Sequence, residues 1–142
     1  MRTLSPWEPL QEALATRLDT VLTATALAGK IFNYIPEETL YPFMFFGEFE
    51  TEPTPLSKTA VTLLTTASFQ VFSDHAGNME AQQLVNSVVA GLTSGPLAIT
   101  GGQWVAISDG RYIDSRLEQE FDGSNVIWVA RLRVSFVMQQ SY

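Results

Sequence analysis

Residues 126–138 read VIWVARLRVSFVM, and this segment has the clearest structural pattern in the chain. Apolar and polar side chains alternate along it, with Trp128, Ala130, Leu132, Val134, Phe136 and Met138 on one side and Arg131, Arg133 and Ser135 on the other. Because successive side chains of a β-strand point to opposite faces of a sheet, this alternation predicts a long strand with one apolar face on the core and one polar face turned outward. The turn residues Asp122-Gly123-Ser124-Asn125 precede the stretch, so residues 112–121 are predicted to pair with it as an antiparallel hairpin.

Two further strands are predicted earlier in the chain. Residues 61–72 alternate in the same manner, and residues 40–49 are predicted to form an aromatic strand in which Gly47 indicates a bulge or a close backbone approach. Residues 48–58 carry three glutamates and two prolines, and Leu56 is their only aliphatic residue. This composition predicts a loop or the tip of a long hairpin at about residues 48–60.

Two helices are predicted from apolar residues at helical spacing. The stripe of the first helix consists of Leu10, Leu14, Leu18, Val21 and Leu22. Residues 5–8 form a helix start in which Ser5 caps the amide of Glu8, and Gly29 is a stop signal, so this helix is predicted over residues 6–28. The second helix is predicted to follow the cap residue Asn78 and to end at residues 94–96.

The remaining elements complete a mixed fold. A short extended piece is predicted at residues 31–35, and a small hairpin of residues 97–99 and 104–107 is predicted around Gly101-Gly102. We therefore expect one α+β domain over residues 1–142, with two helices packed on one face of a mostly antiparallel sheet.

Composition excludes several classes of protein. The chain has 142 residues, of which 46% are apolar and 16% charged, with a formal net charge of −7 and no cysteine. This is enough for one packed core, and no apolar run approaches the ~20 residues of a membrane helix. The lack of cysteine excludes disulfide scaffolds and thiolate metal sites, and it suits a reducing compartment. An acidic chain is poorly suited to gripping DNA, because phosphate binding needs clustered lysine and arginine.

No catalytic, cofactor-binding or metal site is predicted. His75, the only histidine, lies in a turn sequence without an orienting partner. The acidic residues Glu37, Glu38, Glu48, Glu50 and Glu52 lack the Asp, Asn and Gly spacing of a calcium-binding loop. The sequence has neither a nucleophile elbow nor a phosphate-binding glycine loop. We therefore expect that the protein is not an enzyme.

A few residues are candidates for interfaces. Trp7 lies at the exposed start of the first helix, and tryptophan is enriched among residues that dominate binding energies. Arg131 and Arg133, even with Arg111 and Arg116, form too small a basic patch for nucleic acid at physiological salt. They are predicted to pair instead with Glu118 and Glu120 across the last hairpin.

Several segments occur in an order and spacing that is found in one family of virion proteins. They are residues 9–14 (PLQEAL), 28–32 (AGKIF), 40–47 (LYPFMFFG), 69–73 (FQVFS), Leu97, Gly102, Asp122-Gly123 and 131–134 (RLRV). With these segments the chain resembles, over residues 5–138, the tail-completion proteins of long-tailed bacteriophages. These proteins are also called tail-terminator or tail-to-head joining proteins.

The resemblance implies a structural virion protein of α+β fold, without catalysis or cofactor. It implies a homohexameric ring that caps the tail tube, ends tube polymerisation and joins the tail to the head. The partners implied are further copies of the chain, the major tail tube protein, a head-completion or neck connector protein, and DNA that passes through the lumen without specific binding. No membrane is involved. The implied location is the tail–neck junction of the virion, after assembly in the host cytoplasm.

The candidate interface or lumen residues are Trp7, Glu48, Glu50, Glu52, Glu118, Glu120, Arg131 and Arg133. The first three glutamates, or the two of the last hairpin, are expected to contribute to a negative lumen that repels DNA phosphate. The loop at residues 48–58 is expected to reach a neighbouring subunit or the tube.

Two alternatives remain open at this point. The first is a head-side neck connector or stopper, which the sequence separates poorly from a tail terminator. The second is a small-molecule-binding α+β domain, which would need a concave apolar pocket with converging polar groups.

Overall fold

A computed structural model describes residues 5–36, 38–54, 60–99 and 104–141. The elements in chain order are α1 (Trp7–Val21), β1 (Ile31–Phe32), β2 (Phe43–Pro53), β3 (Ala60–Ser73), α2 (Met79–Leu92), β4 (Trp104–Ala106), β5 (Arg111–Asp122) and β6 (Asn125–Ser141). Glu37, residues 55–59 of the predicted loop or hairpin tip, and the predicted turn at Gly101-Gly102 lie outside the described residues.

One mostly antiparallel sheet organises the domain, in the order β1-β2-β3-β6-β4, with β5 also paired to β6. β6 pairs with β3 along one side, and β5 and β4 follow each other along its other side. β1 is parallel to β2 and covers only two of its residues, Met44 and Phe45. A bulge between Phe46 and Glu48 confirms the irregularity predicted at Gly47, whose φ is 139°.

The main core cluster lies on one face of the sheet, under both helices. The alternating residues of β6 from Ala130 to Met138 meet Ala67, Phe69 and Val71 of β3, and Leu10, Leu14 and Leu18 of α1 cover them. Leu84, Val88 and Leu92 of α2 complete the same cluster. The predicted α+β class, with two helices on one face, is therefore confirmed.

The first helix is shorter than predicted. It ends at Val21 and is followed by tight turns, in which the amides of Thr25, Ala28 and Lys30 each bond to a carbonyl three residues back. The hydroxyl of Thr23 bonds to the carbonyls of Asp19 and Thr20, so threonine side chains compete for the acceptors of the last helical turn. Leu22 and Leu27 are still fully buried, which is why the apolar stripe runs past the end of the helix.

Two smaller predictions need correction. The backbone of residues 97–99 forms no strand; Leu97 is buried in the core, and Arg17 holds the preceding connection through the carbonyls of Gly91 and Pro96. Neither helix has the predicted side-chain cap. Ser5 accepts a bond from the amide of Trp7 rather than Glu8, and Asn78 accepts one from the side chain of Gln82.

Gly110 has no room for a side chain. A Cβ there would overlap the carbonyl oxygen of Leu92 and the ring of Phe136. We expect Gly110→Ala to lower the free energy of unfolding by about 1–3 kcal/mol, because backbone must move to accept it. The matched control is Gly77→Ala, where a Cβ meets open space. Equal midpoints of the two variants in urea would contradict this prediction.

Candidate assembly surfaces

Seven of the eight candidate residues lie on the face of the sheet opposite the helices, which we call the open face. Registers place Glu48 opposite Ser68, Ser68 opposite Arg133, and Arg133 opposite Asp114, so these four share one level across the sheet. The same alternation puts Glu50, Glu52, Glu118, Glu120 and Arg131 on this face. Trp7 lies on the helix side.

Ion pairs join β5 to β6 on the open face. Arg131 lies 2.9 Å from Glu120 and 3.6 Å from Glu118, as predicted. Arg133 instead binds Asp114 through two hydrogen bonds of 3.0 and 2.5 Å. Within β5, Arg116 pairs with Glu118 at 2.6 Å. Because all of these groups are partly exposed, the pairs orient the side chains more than they stabilise the fold.

The Asp114–Arg133 pair gives a pH-dependent signature. The hydrogen bond from the Arg133 guanidinium holds the pKa of Asp114 below its usual value. A lowered pKa in the folded state means that the pair's contribution is complete above the unfolded pKa of about 3.9 and is lost as the pH falls through the folded pKa. We expect the NMR titration midpoint of the Asp114 carboxyl to rise in Arg133→Gln and to stay in place in Lys30→Gln. An unchanged midpoint in Arg133→Gln would rule out this pairing in solution.

Three carboxylates on the open face form no ion pair with a described residue, although the charge of Glu50 acts on Arg133. Within the described chain, Glu48, Glu50 and Glu52 form no ion pair, and all three are exposed along β2. A groove of about 490 Å³ crosses the face beside them, lined by Glu48, Ser68, Gln70, Asp114, Arg116 and Arg131 among others. Its mixed charge and open shape do not match the concave apolar pocket that a small-molecule-binding domain needs.

One end of the sheet carries an exposed apolar patch. The Tyr41 hydroxyl donates a 2.6 Å hydrogen bond to Asp122, which joins the segment before β2 to the tip of the β5–β6 hairpin. Burial, together with the carboxylate, raises the pKa of Tyr41 to about 12. Leu40 and Phe121, the sequence neighbours of this pair, are 74% and 79% exposed. We call the exposed apolar surface of Leu40, Phe121 and Val126 the hairpin patch.

Trp7 marks the opposite end of the sheet. Its indole Nε1 donates a 2.8 Å hydrogen bond to Thr51, whose hydroxyl lies 3.1 Å from that of Thr65. Thr51 is near the end of β2 that leads into the β2–β3 tip. The indole is nevertheless 48% exposed, so its position is fixed while much of its apolar surface remains accessible.

Both lateral edges of the sheet also expose apolar residues. The outer edge of β4 and β5, called the β5 edge, presents Val105, Ile107, Tyr112 and Ile113. On the other side, β2 has no strand partner beyond Phe45 among the described residues, and this β2 edge begins where Asn33 lies beside Gly47. Tyr34 and Ile35, which follow Asn33, are exposed.

The described residues hold no group of three or more His, Cys, Asp or Glu side chains placed to bind a metal ion. They also include no helix that is both long enough and apolar enough to cross a membrane.

Comparison with known proteins decides the family. The family model for tail completion protein gp17 matches residues 12–137. The chain belongs to this family. It is therefore a structural protein of a phage-type tail, in agreement with the resemblance seen in the sequence. A solved chain described as "Virion of native gene transfer agent (GTA) particle" has the same fold, with a TM-score of 0.72 over 91% of this chain and 94% of that chain, at 17% identity. No curated protein matches the chain.

Sequence reasoning did not single out two surfaces of this tail completion protein. The β5 edge was missed, although adjacent apolar residues in a strand with an otherwise polar pattern are a visible signal at Tyr112 and Ile113. The hairpin patch had no signal in the sequence, because it depends on contact between residues that are 81 positions apart.

Proposed function

We propose that this protein forms a ring at the end of the tail tube, ends tube polymerisation and joins the tail to the head, with DNA passing through the lumen. The ring is a homohexamer, as the family resemblance implies. The observation that carries the proposal is the pair of lateral edges, which are both exposed and differ from each other.

A closed ring requires such edges. In a ring of identical subunits each contact is heterologous, so one surface of a subunit meets a different surface of the next. The β5 edge and the β2 edge lie on opposite sides of one sheet and share no residues. A 12-residue edge strand that is exposed on both faces is prone to uncontrolled pairing unless a partner covers it. Ring closure covers it with a copy of the same chain.

The open face is the surface that suits the lumen. It carries six carboxylates, namely Glu48, Glu50, Glu52, Asp114, Glu118 and Glu120, against the four guanidiniums of Arg111, Arg116, Arg131 and Arg133. The face therefore keeps a net negative charge, and its arginines are largely occupied by its own carboxylates. Such a wall repels phosphate and lets DNA slide without sticking.

With the open face on the lumen, the two ends of the strands become the two axial surfaces of the ring. The hairpin patch with Leu40 and Phe121 lies at one end, and Trp7, bonded to Thr51 two residues before the end of β2, lies towards the other. A protein that sits between the tube and a neck connector needs two docking surfaces of this kind. Exposed tryptophan and phenylalanine side chains are suitable anchors for them.

The test is a tube-assembly experiment with the tail tube protein of the same particle and no head component. We expect added protein to shorten tubes in proportion to its concentration and to appear as a ring at one tube end in electron micrographs. Tubes of unchanged length and without rings would overturn the proposal. Binding to isolated neck proteins in that case would favour the head-side connector instead.

A further inference from the structure

The two lateral edges have complementary charges as well as free backbone. On the β2 edge, Glu48, Glu50 and Glu52 are exposed and form no ion pair within the described part of the subunit. On the β5 edge, Arg111 is exposed and likewise forms no ion pair with a described residue. Unpaired charges of opposite sign at the two sides of one sheet are the arrangement that a head-to-tail contact can use.

The opposite charges also lie at one level of the sheet. Glu50 is opposite Thr66, Thr66 is opposite Ser135, and Ser135 is opposite Arg111. Copies in a closed ring are related by a rotation without a rise, so residues at the same level meet when the strands stand along the ring axis. The rotation therefore brings Glu50 of one subunit to Arg111 of the next.

Strand direction permits direct pairing at this contact. β2 is antiparallel to β3, β3 to β6, and β6 to β5, so β5 runs antiparallel to β2. The next subunit presents its β2 in the same orientation. The free amides and carbonyls of the two edges can then form an antiparallel ladder, which would continue the sheet from subunit to subunit.

We propose that the β5 edge of one subunit binds the β2 edge of a second copy, with Arg111 against Glu50 and its neighbours Glu48 and Glu52. This inference rests on the proposed ring and adds the surfaces and residues that close it. The contact leaves the net charge of the open face unchanged, because it pairs groups that the face already carries.

Disulfide cross-linking tests this contact directly, because the natural chain has no cysteine. Within one subunit residues 50 and 111 are three strand spacings apart, about 14 Å along the sheet, whereas a disulfide needs Cα atoms within about 7 Å. A bond between them must therefore join two subunits. The variant is Glu50→Cys with Arg111→Cys, and the control is Gln83→Cys on the outer side of α2 with Arg111→Cys.

We expect oxidation of tube-bound protein to give a ladder of covalent oligomers up to the full ring with the first variant and only monomer with the control. A second experiment reverses the charges of Arg111 and Glu50. Arg111→Glu should raise the concentration needed for half-maximal ring formation at least about tenfold, and adding Glu50→Arg to it should restore most of the loss.

The outcomes separate this inference from the proposed function. Rings that cap tubes but give no ladder, and that tolerate Arg111→Glu, would overturn the Arg111–Glu50 contact while the terminator function stands. Tubes that are neither capped nor shortened by the natural protein would overturn the function and the contact together.

Discussion

Lysine in place of both Tyr112 and Ile113 should leave the subunit folded and abolish its assembly into rings. Both side chains are exposed in the subunit, at the bulge between Tyr112 and Asp114 on the β5 edge, so lysine costs the fold little. In the proposed ring Tyr112 meets the neighbour at the level of Phe49, on the helix side of the sheet and away from the β2 glutamates, so an ammonium group there would be desolvated without a partner. Loss of about 2 kcal/mol per contact raises the concentration for assembly about 30-fold.

The matched control for this variant is lysine at both Gln82 and Gln83, on the exposed side of α2. Circular dichroism and urea unfolding should show all three proteins folded with similar midpoints. Native mass spectrometry and micrographs of tube ends should show rings for the natural protein and the control only. Full-sized rings of the Tyr112→Lys, Ile113→Lys variant would show that the β5 edge is not a subunit contact.

Replacement of residues 55–59 with Asn-Gly should give a folded protein that no longer caps tubes. The amide of Thr54 bonds to the carbonyl of Thr62, so β2 and β3 stay paired at this position, and Asn-Gly followed by Ala60 and Val61 makes a four-residue hairpin loop between them. The removed residues belong to the segment expected to reach a neighbouring subunit or the tube.

Tube length in the presence of the shortened protein is the measurement for this variant. Tubes should grow as long as without any cap, while the thermal midpoint of the variant stays close to that of the natural protein. Normal capping by the shortened protein would exclude a role for the tip. The substitution is confined to the tip because Glu48, Glu50 and Glu52 pair with β3 as part of β2.

The elements that local patterns determine were predicted best. β6 was evident because strict alternation from Trp128 to Met138 has one structural solution, and a two-residue turn at Gly123-Ser124 fixes its partner β5. The end of α1 was not evident from the sequence. Leu22 and Leu27 continue the apolar stripe of the helix, but the hydroxyl of Thr23 bonds to a carbonyl that a longer helix would need. The glutamates of β2 suggested a loop, and only pairing with β3 made that segment a strand.

The candidate surfaces were harder to predict, because they depend on register between distant segments. Arg131 could be matched to Glu118 and Glu120 from the hairpin alone. The partner of Arg133 could not be predicted from the hairpin. A bulge between Tyr112 and Asp114 shifts the register of β5 and brings Asp114 within hydrogen-bonding distance of Arg133. The level shared by Glu50 and Arg111 requires the order of four strands, which no local pattern contains.

A reconstruction of capped tails by electron cryo-microscopy would show directly whether the protein forms the proposed ring. We expect six copies in one ring at the end of the tube, with the open face on the channel, α1 and α2 outside, and Arg111 of each copy beside Glu50 of the next. A tube end without the protein, or a ring in which the helices line the channel, would contradict this expectation.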